Sequence, residues 1–224
     1  MHFIASDGDS IFSKEESAAV LELAEEDAFN TGTAIPLGIV LLFNLGIRDG
    51  ELCPLKWSDI EDNFRGEYIH IQREMTPKID KNGKAHGFEI LPHCKSASGD
   101  RRLLLNSKAK ETFEQIRSYN QKNGIPTELD DYIFIRKQNG VFNTCTPRCF
   151  DPRLRKYCKK AGMSVIKSPH DVRRTVLTNL YLAGMPLKQV QKYAGHASLQ
   201  QTMDYLRIAN DDDCELIQYL EKLA

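Results

Sequence analysis

Apolar residues recur along this chain mostly at helical spacing, with one stretch where the period shortens to that of strands. Ser13 and Glu16 stand at the separation of an N-cap and its third helical residue, where each side chain can accept the other's free N–H. Ala18, Val20, Leu21 and Leu23 follow as an apolar face, so the pattern predicts a helix over residues 13–29. Asn30-Thr31-Gly32-Thr33 predicts a loop. Residues 35–45 are mostly apolar and long enough for a buried helix, which Gly46 would close. A further helical turn is expected over residues 50–55, with Pro54 near its start or at a kink.

The period then shortens. Residues 68–71, 88–91 and 102–105 read as three short strands. Between the first two, Pro77, Asn82-Gly83 and Gly87 make residues 76–87 turn-rich. Residues 93–100 form a small, polar turn before the third. Helical spacing returns with Ala109, Phe113 and Ile116 over residues 107–123, closed by Gly124, and residues 132–135 are a short apolar piece. Over residues 146–161, Phe150, Leu154, Tyr157 and Cys158 take one face of a helix. Arg148, Arg153, Arg155, Lys156, Lys159 and Lys160 take the other. Pro169 suits the first turn of a helix that ends at Gly184, Pro186 starts the next, and Ser198 caps another carrying Tyr205. Asp211-Asp212-Asp213 then offers a cap and an acidic first turn, and Leu216, Ile217, Leu220 and Leu223 form one apolar stripe. The expected fold class is mainly α with a small three-stranded antiparallel β-sheet, an α+β domain.

Composition narrows the function classes. The 224 residues suffice for one large domain or two small ones. No apolar run approaches the roughly 18 residues of a membrane span. The first residues lack a signal peptide's basic start and apolar run, so a cytoplasmic location is expected. Cys53, Cys94, Cys145, Cys149, Cys158 and Cys214 include no C-x-x-C pair, so reduced and mostly buried thiols are expected rather than a metal site. The net charge of −1 by itself argues against a nucleic-acid partner. Its distribution argues the other way. Residues 1–62 hold three basic and thirteen acidic residues, whereas residues 72–110 hold nine against four and residues 136–174 eleven against two. Clustered basic charge is the footprint of phosphate-backbone binding, although a solvated charged face has the same composition.

The chemistry concentrates in residues 168–205. His170 and Arg173 are three apart and share a helical face, Gly195-His196 follows at a break between helical segments, and Tyr205 stands nine residues after His196. Arginine supplies a planar fork for a phosphate, histidine a hydrogen bond or a proton relay, and tyrosine a covalent nucleophile. The set suits phosphoryl transfer onto a tyrosine without a metal. Upstream stand Gly46-Ile47-Arg48 with Glu51-Leu52, then Leu55, Trp57 and Asp59-Ile60.

This ordered set resembles the tyrosine recombinases of the phage integrase family. Their catalytic half carries H-x-x-R, then G-H, then a tyrosine about nine residues on, preceded by G-[LI]-R-x-x-E-[LI] and L-x-W-x-D-[IV]. Read alone, Arg48 could instead be an ion-pair partner of Glu51. The family also places a lysine in a K-[ST]-x-x-S-x-R turn. Lys95, Ser96, Ser98 and Arg101 or Arg102 are similar to it, with a spacing departure of about one residue. Lys84 and Lys81 are the weaker candidates.

The resemblance implies a tyrosine recombinase catalytic domain over residues 13–210. It would be a site-specific recombinase that cuts and rejoins double-stranded DNA through a 3′-phosphotyrosine, with no metal, ATP or other cofactor. Arg48 and Arg173 would clamp the non-bridging oxygens, and His196 would donate to the same phosphate. Tyr205 would attack, with nearby positive charge lowering its ordinary pKa of about 10. Lys95 would protonate the leaving 5′ oxygen, His170 would assist as base or hydrogen-bond partner, and Glu51 would orient a neighbouring basic side chain. The basic helix would contact DNA backbone, and a homo-oligomer, a tetrameric synapse, would assemble on DNA. Residues 1–12 would be a linker or disordered N-terminus, and residues 211–224 a C-terminal helix packed on its own domain or exchanged between protomers. Two alternatives are a type IB topoisomerase-like relaxation activity, which the G-H-x8-Y spacing disfavours, and a non-catalytic DNA-binding relative, which the complete residue set disfavours.

Overall fold

Helix α1 (Lys14–Thr31) opens with the expected reciprocal cap: Ser13 Oγ accepts the Glu16 N–H at 3.1 Å and Glu16 Oε2 accepts the Ser13 N–H at 2.8 Å. These positions come from a computed structural model that describes residues 11–94 and 97–206. Phe12, expected in the linker, is buried, and its N–H donates to Thr175 Oγ1 at 2.8 Å. Residues 1–10 lie outside the described part.

Helix α2 (Leu37–Leu45) is the central element. Leu37, Ile39, Val40, Leu41, Leu42 and Leu45 are all buried, because α1, α4 (Ser107–Lys122) and α6 (Pro169–Leu182) pack around it. Gly38 is needed there, since a Cβ would stand 2.3 Å from the Phe150 ring. Gly46 ends the helix in the left-handed region, φ 58°, as its position predicts. The next turn, α3 (Asp49–Leu52), ends before Pro54, which therefore terminates it rather than starting or kinking it.

The three-stranded antiparallel sheet exists, but its membership differs from the expectation. It comprises β1 (Ile60–Asn63), β2 (Gly66–Ile71) and β5 (Arg101–Leu104), in the order β1-β2-β5. Residues 88–91 belong instead to β4 (Ala85–Leu91), which pairs with β3 (Glu74–Ile79) in a separate hairpin. Most of the stretch read as turn-rich is thus strand, with only the segment around Gly83 (φ 77°) turning. A second hairpin, β6 (Ile135–Gln138) and β7 (Val141–Thr144), turns at Asn139 (φ 51°) and Gly140 (φ 79°). Asn-Gly is the strongest short-range hairpin signal, and the sequence reading missed it. The register of β2 on β5 has a direct consequence: Arg101 lies opposite Ile71 and Leu103 opposite Ile69, on the buried face, while Arg102 lies opposite His70 on the outer face.

The segment read as one basic helix is a 3₁₀ turn (Pro147–Cys149) followed by α5 (Asp151–Lys160), with Leu154, Tyr157 and Cys158 buried as expected. Helices α6, α7 (Leu187–Ala194) and α8 (Leu199–Leu206) complete the described chain, and the Ser198 hydroxyl caps α8 by accepting the Gln201 N–H at 3.1 Å. The expected C-terminal helix, residues 211–224, lies outside the described residues. The five described cysteines are free, with Cys53, Cys145 and Cys158 buried. No helix among the described residues is long and apolar enough to cross a membrane.

Candidate active site

Leaving α2 through Gly46, the chain places Arg48 at the N-cap of α3 and Glu51 as its third residue. Glu51 accepts the Arg48 backbone N–H at 2.8 Å and Arg48 Nη1 at 2.9 Å. The ion pair between these two is therefore present, but Glu51 has further partners. Its Oε1 and Oε2 accept Nη1 and Nη2 of Arg101 at 3.0 Å each, and Arg173 Nη1 lies 3.8 Å from Oε2. Three guanidinium groups thus surround one carboxylate that is 1% exposed. Burial pushes Glu51 toward protonation. The charge and paired donors of Arg101, then Arg173 and Arg48, outweigh it and hold the carboxyl at about 2.

Helix α6 brings in His170 and Arg173. Arg173 is walled in, 1% exposed, with Nη1 donating to Gly46 O at 2.8 Å and Nη2 to Ala194 O at 2.5 Å. Those two carbonyls sit at the C-terminal ends of α2 and α7, where the helix dipoles are negative. Burial lowers the Arg173 pKa to about 10, so it remains charged at neutral pH. Its Nε has no hydrogen-bond partner among the described residues. Arg48 is the more open arginine, with 34% of its side chain exposed. It lines a cleft of about 350 Å³ together with Glu51, Glu74, Gly99, Gly195 and Ala197. The two arginines expected to act alike are therefore held very differently.

His196 follows Gly195, whose left-handed backbone (φ 69°) ends α7. His196 is buried, with Nδ1 3.1 Å from Thr202 Oγ1 and Nε2 3.3 Å from Arg173 Nη2. Arg173 can only donate, so Nε2 accepts and the proton sits on Nδ1. Burial, then the charges of Arg173, Arg48 and Arg101, push the ring down to about 4. In this arrangement His196 is neutral and has no Nε2–H to offer a phosphate.

Tyr205 projects from α8 over the same group. Its hydroxyl lies 2.9 Å from His170 Nδ1, and its ring centroid is 5.8 Å from the Arg173 guanidinium and 5.5 Å from that of Arg174. The pKa of Tyr205 is raised: burial comes first and exceeds the opposing charges of Arg173, Arg48 and Arg174. The expected lowering by nearby cations is present in kind and is outweighed in size. His170 is pushed down by burial and then by Arg174, so it is a neutral ring able to accept the Tyr205 proton.

Lys95 lies outside the described residues. Of its weaker alternatives, Lys81 and Lys84 stand exposed in the β3–β4 turn. On the basic helix, Lys156, Lys159 and Lys160 are exposed, Arg155 pairs with Asp151 at 2.9 Å, and Arg153 lies 3.5 Å from Asp27. Arg148 stacks on Phe88 of the β3–β4 hairpin at 5.4 Å. Sequence reasoning offered Arg101 only as an alternative to Arg102 in the family's turn pattern, gave it no role, and did not find Thr202, whose Oγ1 lies 3.1 Å from His196 Nδ1. Strand alternation could have chosen Arg101 over Arg102, since it puts Arg101 on the buried face where an unpaired charge cannot remain. Among the described residues no group of three or more His, Cys, Asp or Glu side chains is placed to hold a metal ion.

Comparison with known proteins fits this geometry. The profile of the phage integrase family matches residues 11–211. The chain is 26% identical over 180 residues to the tyrosine recombinase XerA of Pyrococcus horikoshii, an alignment covering 80% of this chain and 52% of that protein. It is 27% identical over 171 residues to the tyrosine recombinase XerC of Bacillus pumilus, covering 76% and 48%. The chain thus spans about half the length of the curated relatives it matches. Among solved structures, the Tn1549 transposon integrase in complex with a circular intermediate DNA superposes with a TM-score of 0.70 at 23% identity, covering 96% of this chain and 66% of that one. A XerA recombinase gives 0.61 at 23% identity, covering 94% and 62%.

Proposed function

This chain belongs to the phage integrase family, and from that premise we propose that it is the catalytic part of a site-specific recombinase that cuts and rejoins double-stranded DNA through a 3′-phosphotyrosine. The observation that carries the reading is the Tyr205 hydroxyl, 2.9 Å from a neutral histidine that can take its proton and beside two guanidinium groups. A nucleophile, a base and fixed positive charge are what an in-line attack on a phosphodiester requires.

In this reading the scissile phosphate enters the cleft at Arg48, the more open of the two expected arginines. Arg173 contributes its charge from behind, and its Nε–H, without a hydrogen-bond partner among the described residues, is the donor it has to spare. As the Tyr205 oxygen attacks phosphorus, its proton passes to His170 Nδ1. The P–O5′ bond breaks, and the leaving 5′ oxygen takes a proton from Lys95, the candidate acid. His196 supplies a phosphate donor only if its proton moves to Nε2, which requires Arg173 Nη2 to turn away when DNA binds. The phosphotyrosine conserves the energy of the broken bond, so a second 5′-hydroxyl can reverse the step without ATP or a metal. The exposed side chains of α5 and Arg148 would hold the DNA backbone, and several copies would assemble on the DNA, with residues 211–224 packed in cis or exchanged between protomers.

The test is to offer nicked suicide duplexes carrying randomised sequence, trap covalent complexes and sequence the joined DNA. Capture of one sequence family through its 3′ end is the expected result. Relaxation of plasmids lacking that sequence would favour topoisomerase-like chemistry, and binding without capture would favour a non-catalytic DNA-binding protein.

A further inference from the structure

We infer that Arg101 is the positioning residue of this site: it holds Glu51 against Arg48 and Arg173 and ties the β4–β5 turn and the α7 end to that group, without touching DNA. This rests on the recombinase reading above. Every nitrogen of the Arg101 guanidinium is committed to protein. Nε donates to Tyr193 O at 2.7 Å, Nη1 to Gly99 O at 2.9 Å and to Glu51 Oε1 at 3.0 Å, and Nη2 to Glu51 Oε2 at 3.0 Å. The side chain is 5% exposed, so no open face remains for a phosphate.

The partners of Arg101 come from three separate places. Glu51 orients Arg48. Gly99 lies in the turn between β4 and β5, where the candidate acid Lys95 falls in the sequence. Tyr193 lies three residues before His196, and its carbonyl is taken while its hydroxyl donates to Leu45 O at 3.0 Å. The fit is close: a Cβ at Gly195 would stand 2.9 Å from Arg101 Nη1 and 3.0 Å from Ser98 O. Strand register sets Arg101 here, since its place opposite Ile71 fixes it on the inner face.

Glu51 is faced by Arg48 at the start of its own helix, Arg101 from β5, Arg173 from α6, His196 from the α7–α8 turn, and Glu74 and Cys94 across the cleft; Asp49 shares its helix. Arg101 is the largest of the cationic influences holding Glu51 ionised. Without it, burial drives the carboxyl toward its neutral form, and a neutral Glu51 no longer holds Arg48. Loss of Arg101 should therefore appear as a new dependence of the chemical step on pH.

The experiment measures single-turnover cleavage of the captured duplex by this chain, from pH 5 to 9, for the unaltered protein, Arg101→Met, Arg101→Lys and Arg101→Met/Glu51→Gln. Gel-shift affinity and thermal melts accompany it. Arg101→Met should lower cleavage at neutral pH by roughly 10²-fold, the scale of a misplaced reacting group. It should leave DNA affinity within about twofold and add, to the acid limb that His170 gives the unaltered protein, a second one that the added Glu51→Gln removes. Arg101→Lys, which keeps the charge and a donor, should fall between. A uniform drop across pH, or an acid limb beyond the unaltered protein's own that persists in the double variant, would overturn the proposal. So would wild-type cleavage by Arg101→Lys, or loss of the folded state in both single variants, which would make Arg101 a residue of the fold only. If the unaltered chain captures no DNA, the recombinase reading fails first and takes this one with it.

Discussion

The arginine side of the site and the tyrosine side rest on different foundations. Glu51, Arg101 and Arg173 hang from α3, β5 and α6, whose buried residues Leu52, Leu103 and Val172 belong to the main hydrophobic cluster. Each of those charges is held by two or more partners, many of them backbone carbonyls. Tyr205 hangs from α8, whose Leu206 packs with Leu177, Val190 and Ala194 in a second, smaller cluster. Among the described residues its hydroxyl meets His170 Nδ1 at 2.9 Å, with the Arg173 guanidinium beside it. The contrast fits the division of labour in phosphoryl transfer. Charges that stabilise a transition state are most effective when fixed beforehand, because turning dipoles during the reaction costs free energy. A nucleophile has to give up its proton and travel to phosphorus, so a lighter hold serves it.

Breaking the tyrosine side completely gives the largest effect. Tyr205→Phe removes only the attacking oxygen, so covalent attachment should vanish on denaturing gels while gel-shift affinity stays within about twofold. Covalent complex formed at the normal level by this variant would end the assignment.

On the arginine side, Arg48→Lys and Arg173→Lys should each lose roughly 10²–10³-fold in cleavage, the scale of one lost charge-stabilising donor. The contrast sharpens in stability. Arg173→Lys breaks buried charged hydrogen bonds to Gly46 and Ala194, at about 1.5–3 kcal/mol each, and should lower Tm by roughly 6–24 °C. Arg48 is partly open, and Arg48→Lys should shift Tm by no more than about 2 °C. Equal Tm losses in the two variants would erase the distinction between them.

His170→Ala should slow cleavage by roughly 10²-fold at neutral pH. Because burial raises the Tyr205 pKa, the deficit should shrink as pH rises and the hydroxyl ionises unaided. A deficit independent of pH would show that His170 is not the base.

The smallest effect concerns acid stability. The His196 pKa is about 4 in the folded chain against its ordinary 6.5, so between those values the unfolded chain binds a proton that the folded chain does not. Stability from this residue is thus full above pH 6.5 and is lost as pH falls toward 4. His196→Gln should flatten that part of the Tm–pH curve, and an unchanged curve would place the acid sensitivity elsewhere.

Much of this arrangement was legible in the residues. The Ser13 cap, the buried α2, its stop at Gly46 and the helix starts at Pro169 and Ser198 are local signals that the fold obeys. Strand partners were not legible. β1 has one apolar residue, Ile60, and is a strand because β2 supplies its hydrogen bonds. The difference between Arg48 and Arg173 was also hidden. Arg173 is enclosed by carbonyls 127 and 21 residues away, and spacing along one helix carries no trace of that. The raised Tyr205 pKa was missed for the same reason: counting nearby cations ignores the burial that opposes them.

The central claim is tested most directly by finding the atom that carries the DNA. Covalent complexes trapped on suicide duplexes would be digested with trypsin and nuclease, and the modified peptide sequenced by mass spectrometry. Cleavage after Lys192 and Arg207 leaves one peptide holding both Tyr193 and Tyr205, so fragmentation distinguishes them. The account predicts a nucleotide joined through its 3′-phosphate to Tyr205 and none on Tyr193. A nucleotide on Tyr193, on a serine, or attached through its 5′ end would contradict it.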